Sequence, residues 1–112
     1  MKKSSIQFNI DLDANNVPER IHWDATDKPD PGLSETKSIS LALWDDKQKS
    51  TLRIDLWTKD MPVMEMKRFY IDCLGGLAQS ALRSTNDEVM AREINALCER
   101  LVKHVQDTQD KV

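Results

Sequence analysis

The chain has 112 residues, 39% of them hydrophobic and 31% charged, with a formal net charge of -3. That balance belongs to a globular chain of single-domain size, residues 1–112, and excludes a disordered or a membrane-spanning one. Sixteen Lys and Arg are dispersed among nineteen Asp and Glu, which leaves no basic stripe for phosphate contacts and argues against nucleic acid as a partner.

The opening MKKSSIQFNIDLD has two lysines but no apolar run of signal-peptide length, because Ser4, Gln7, Asn9 and Asp11 interrupt it. No stretch approaches the roughly 18 apolar residues of a spanning helix. The expected location is the cytoplasm.

Ile6, Phe8, Ile10 and Leu12 alternate with polar residues, as do Ile21, Trp23 and Ala25. This is the period of two that gives a strand one apolar face. The turn-forming Ala14-Asn15-Asn16-Val17-Pro18 between them predicts a hairpin. Residues 27–35, DKPDPGLSE, hold Pro29, Pro31 and Gly32 and read as the one linker.

The second hairpin can be read down to its register. Placing Leu43 opposite Leu52 sets Leu41 against Ile54 and Ile39 against Leu56, so that all six point into one core. The same register collects Ser40, Ala42 and Trp44 on the far face with Arg53, Asp55 and Trp57.

After Trp57 the period lengthens. Asp60 is expected to cap a helix with Pro62 in its first turn, and Val63, Met66, Phe69, Tyr70, Cys73, Leu74, Leu77 and Ala81 follow helical spacing. Gly75-Gly76 interrupts it at a cost of about 1 kcal/mol per Gly relative to Ala, so either a close backbone approach or a kink is expected there. Thr85-Asn86-Asp87-Glu88 has the form of a capping box. Met90, Ile94, Leu97, Cys98, Leu101, Val102 and Val105 form the apolar stripe of a second helix. Strands followed by helices predict an α+β fold, with a four-stranded antiparallel sheet of two hairpins and two antiparallel helices packed on one face. The other face of the sheet would then stay open around Trp44 and Trp57.

The motifs that carry chemistry are sparse. Asp11-Leu12-Asp13-Ala14-Asn15 opens like a calcium loop, but Asn16 stands where Gly is needed and His22 where a bidentate Glu should sit, so an Asx-rich turn is the better reading. Cys73 and Cys98 can lie at one level of an antiparallel helix pair and are expected as buried thiols, with no C-x-x-C present. No nucleophile stands with a base and no zinc ligand set or phosphate loop occurs, so neither an enzyme nor a cofactor or metal site is expected. The candidate site is a protein interface formed by Ala42, Trp44, Arg53, Asp55 and Trp57, since exposed indoles favour interfaces. The bland alternative is that Pro29, Pro31 and Leu33 fold over the indoles as a satellite core.

LALWDDKQKSTLRIDLWTKDMPVMEMKRFYIDCL, residues 41–74, together with the upstream VPERIHWDATD, resembles the gliding motility protein GldC family of the Bacteroidetes. Its most specific part is LRIDLWTKDM at residues 52–61, followed by Glu65-Met66-Lys67; I-x-W-x-A-T at residues 21–26 supports it, and Met64 departs from the acidic residue often found there. The resemblance implies a small noncatalytic cytoplasmic accessory of a gliding apparatus coupled to type IX secretion; the face around Trp44 and Trp57 is then expected to bind a protein partner of that apparatus, a second copy of the chain as a homodimer or higher homo-oligomer, or both. It carries no catalytic residues over. Two further readings stay open. One is a chaperone-like protein shielding a client with Met61, Met64 and Met66, and the other a small-ligand module near Trp23 and Tyr70.

Overall fold

The computed structural model describes residues 1–110. It has five strands, β1 (Ile6–Leu12), β2 (Pro18–Ala25), β3 (Ser34–Thr36), β4 (Ser38–Asp45) and β5 (Ser50–Trp57), followed by α1 (Val63–Thr85) and α2 (Glu88–Asp110). The chain groups into two compact units, Met1–Met61 with the strands and Pro62–Val112 with the helices.

The strands do not form the single four-stranded sheet expected. They divide into an antiparallel three-stranded sheet, β1-β2-β3, and a two-stranded ribbon, β4-β5. The reason is β3, which the linker conceals. Ile21 pairs with Thr36, His22 with Glu35 and Trp23 with Ser34, so the free edge of β2 is already occupied when β4 begins. Lys28 holds the intervening loop, donating to the Gly32 carbonyl and to Ser34 Oγ while its ammonium lies 4.9 Å from the Trp23 ring centroid.

Both hairpin registers follow the alternation. Phe8 faces Trp23 and Ile10 faces Ile21 in β1-β2; Leu43 faces Leu52, Leu41 faces Ile54 and Ile39 faces Leu56 in β4-β5. The turns are set by side chains. Asp13 Oδ1 accepts the Asn15 and Val17 backbone N–H groups at 2.8 and 3.0 Å, with Asn16 in the left-handed region at φ 64°. In the second turn Asp45 Oδ2 accepts Gln48 N–H at 2.7 Å.

The six apolar residues of the ribbon do not share one core. Ile39, Leu41 and Leu56 are half-buried, but Leu43, Leu52 and Ile54 are exposed. Without a β2 neighbour the ribbon has no continuous sheet to extend that core. The buried apolar residue of the strand unit is Ile21, at 0% exposure.

The two units are joined at residues 58–62, where the strand unit is pinned by polar contacts. Thr58 is buried and donates its N–H to the Lys37 carbonyl at 2.8 Å. The Lys59 N–H donates to the Pro18 carbonyl at 3.1 Å, and its ammonium bridges Asp13 at 3.1 Å and Glu19 at 3.0 Å. Asp60, expected as a helix cap, instead accepts from Thr58 Oγ1 at 2.7 Å and from the Lys37 ammonium at 3.1 Å. The residue flanking α1 is Pro62, which makes no side-chain cap bond.

These contacts set a pH dependence. The Val17 and Asn15 N–H groups, and then Lys59, hold the Asp13 carboxyl below its ordinary value, and Thr58 and then Lys37 do the same for Asp60. A carboxyl whose folded pKa is lowered stabilises the fold above its unfolded pKa and loses that contribution as pH falls through the lowered value. Stability should therefore decline below about pH 4. Asp13→Asn should reduce stability at neutral pH and flatten the acid limb of a denaturation-versus-pH profile. On the basic side, Glu19 and then Asp13 raise the Lys59 pKa, so its contribution is present at neutral pH and fades above the ordinary lysine range.

In the helical unit, α1 ends at Asn86, left-handed at φ 59°, whose N–H returns to the Leu82 carbonyl at 2.9 Å. The expected Thr85 capping box is not formed. Thr85 still belongs to α1, its hydroxyl donating to the Ala81 carbonyl, and Asp87 Oδ1 caps α2 by accepting Met90 N–H at 3.0 Å. Asp sits one residue before α2 and competes well for that role. The antiparallel helices meet through buried Ala78 and Ala91, and the Cys98 thiol lies 3.8 Å from the Ile71 carbonyl. Both cysteines are half-buried thiols.

Gly75 and Gly76 lie within α1 with nothing within 4 Å of where a Cβ would stand. The close approach considered for them is absent. Gly75→Ala and Gly76→Ala should each raise stability by about 1 kcal/mol through helix propensity, measured as a shift in the thermal or denaturant midpoint.

Candidate functional site

The far face of the β4-β5 ribbon brings together the side chains expected there. Ser40 pairs with Asp55 and Ala42 with Arg53, while Trp44 lies opposite Thr51 and Trp57 opposite Ser38. Trp44 and Trp57 are 65% and 51% exposed. The linker does not cover them, and Leu33 is itself exposed, so the satellite core is not formed.

The register also spaces the indoles. Six ladder positions separate the Trp57 end from the Trp44 end, about 20 Å at roughly 3.3 Å per residue. The indoles are thus not a stacked pair but two anchors flanking a polar centre. That centre is joined by hydrogen bonds. Arg53 donates from Nε to Asp55 Oδ2 at 3.2 Å and from Nη2 to Asp55 Oδ1 at 3.0 Å. The same Nη2 reaches Ser40 Oγ at 2.6 Å, and the Ser40 hydroxyl donates to Asp55 Oδ1 at 2.8 Å. Arg53, and then Ser40, hold the Asp55 carboxyl below its usual range, which keeps it charged and paired. The forked geometry orients both groups beyond what a surface ion pair does alone.

At one end the face continues into a shallow depression of about 330 Å³ where Trp57 meets Val17, Pro18 and Lys59. Sequence reading missed these neighbours. The turn before β2 and the end of β5 are brought together by the Lys59 bridges, which no local pattern announces.

The calcium-like loop at Asp11 is an Asx turn whose Asp13 carboxylate is engaged by backbone N–H groups and Lys59. His22 lies in β2 opposite Asn9 and Glu35, and His104 is exposed on α2. Among the described residues no three His, Cys, Asp or Glu side chains cluster to hold a metal, and no helix is long and apolar enough to cross a membrane.

These features define a small α+β protein with an uncovered aromatic ribbon face and a helical hairpin. A family model described as gliding motility-associated protein GldC-like matches residues 18–107. The chain belongs to that family, and the match takes in β2 to β5, all of α1 and α2 as far as residue 107. Comparison with curated proteins and with solved structures gives no match.

Proposed function

We propose that the protein is a noncatalytic cytoplasmic accessory of a gliding motility apparatus coupled to type IX secretion, and that it works by binding another protein of that apparatus through Ala42, Trp44, Arg53, Asp55 and Trp57. The family's association with gliding motility supplies the context. The observation that carries the reading is the ribbon face itself, with two uncovered indoles about 20 Å apart around a hydrogen-bonded Arg53–Asp55–Ser40 group. Interfaces concentrate binding energy in Trp and Arg anchors surrounded by near-neutral contacts. Arg53 and Asp55, already paired to one another, can enter an interface without each needing a new counter-charge. The test is affinity capture from a gliding cell with the wild-type chain and with the Trp44→Ser/Trp57→Ser variant. A protein of the gliding apparatus held by the first and lost from the second supports the reading. Equal capture by both removes its basis.

A further inference from the structure

Each helix of the hairpin carries two apolar stripes, and pairing with the other helix occupies only one. On α2 the seam toward α1 is Ala91, Ile94, Cys98, Leu101 and Val105, buried or half-buried at alternating spacings of three and four. Met90 and Leu97 lie about 80° round the helix from that seam at roughly 100° per residue, and both are exposed. On α1 the side toward α2 is marked by buried Ala78 and by Ile71, whose carbonyl meets the Cys98 thiol. Val63, Tyr70 and Leu77 recur every seventh residue about 100° away from it and are exposed as well. In an antiparallel pair these two displacements turn toward the same side of the hairpin. The Ile71–Cys98 contact sets the levels, placing Tyr70 near Leu97 and Leu77 near Met90. The opposite side is mixed, with Arg68, Asp72, Arg92 and Glu99 lining its grooves beside the exposed Met64, Leu82 and Val102.

We propose that the apolar side of the helical hairpin is the interface between two copies of this chain, packed as an antiparallel four-helix bundle. Two arguments select a second copy. The first is area: two helices of 23 residues are about 35 Å long, and side by side about 20 Å wide. They present roughly 700 Å² per copy, close to the roughly 800 Å² per partner of a stable interface. The second is charge. Glu93 and Arg100 are exposed on α2 along the rim of this side, nearly symmetric about Leu97, and neither forms an ion pair within the described residues. A two-fold axis crossing the helices at the level of Leu97 lays α2 antiparallel on α2 of the second copy. Glu93 of each copy then meets Arg100 of the other, twice, the self-complementarity a closed symmetric dimer requires. The β4-β5 ribbon belongs to the other compact unit, and the tests of the two surfaces are read separately.

The experiment is the concentration dependence of mass by light scattering and sedimentation for the full chain and five variants. The wild type is expected to be dimeric well above about 1 μM. Glu93→Arg and Arg100→Glu should each weaken the dimer at least tenfold by placing like charges together, and the double exchange Glu93→Arg/Arg100→Glu should restore it. Leu77→Asp, on an already exposed position, should give a folded monomer by circular dichroism. Arg92→Glu, on the opposite side, should leave the dimer unchanged. A wild type that stays monomeric overturns the proposal, as does a dimer indifferent to Glu93, Arg100 and Leu77, or one broken by Arg92→Glu alone. None of these results touches capture through Trp44 and Trp57.

Discussion

Ile21→Ala is expected to cost about 3 kcal/mol of stability, read as a lowered denaturant midpoint with the transition followed through Trp23. Ile21 is the fully buried apolar side chain of the strand unit, lying opposite Ile10 on one edge of β2 and Thr36 on the other. Removing a buried isoleucine to alanine loses the transfer energy of three carbons and opens a cavity that its neighbours fill only in part. The control is Ile54→Ala, the same change on a half-exposed ribbon position, which should cost less than about 1 kcal/mol. Equal losses at the two positions would mean that the ribbon's second face is as well covered as β2.

The second large effect is expected in binding. Trp44→Ser and Trp57→Ser should each change folding by less than about 1 kcal/mol, because both indoles project from the ribbon with more than half their surface in solvent. For the partner protein the loss should be about 2 kcal/mol or more per indole, roughly 30-fold in affinity, since tryptophan anchors carry a disproportionate share of interface energy. The positions are about 20 Å apart along the ladder, so the losses should add in the double variant. Arg53→Lys tests the centre. Lysine keeps the charge but cannot reproduce the fork toward Asp55 and Ser40, and a drop in affinity with unchanged stability would separate shape recognition from simple charge.

The register of β4-β5 was legible because six apolar residues and six others alternate without interruption; a one-residue slip would have mixed the faces. The helices were legible in the same way, from Val63 through Val105. What escaped was set by contacts between distant residues. β3 is three residues, Ser34, Glu35 and Thr36, at the end of a Pro-rich and Gly-containing segment, and nothing in their polarity distinguishes a strand from a loop. That short strand closes the edge of β2 and divides one expected sheet into two. The helix caps slipped for a related reason: Asp60 and Thr85 found partners in Lys37, Thr58 and Ala81, while Asp87 was free to cap α2. At the candidate site all five residues fall on or between the expected strand positions, but the separation of the two indoles and the depression beside Trp57 depend on how the ribbon's end is tied to the Asp13 turn through Lys59.

The most direct measurement places a photoreactive residue at Ala42, midway along the ribbon face, and at Gln79 on the exposed surface of α1 as a control, in a gliding cell. The expected result is a defined crosslinked protein from position 42 that is absent from position 79 and is lost when Trp44 and Trp57 are also replaced by serine. No adduct at position 42, or one that persists without both indoles, contradicts the role assigned to this face.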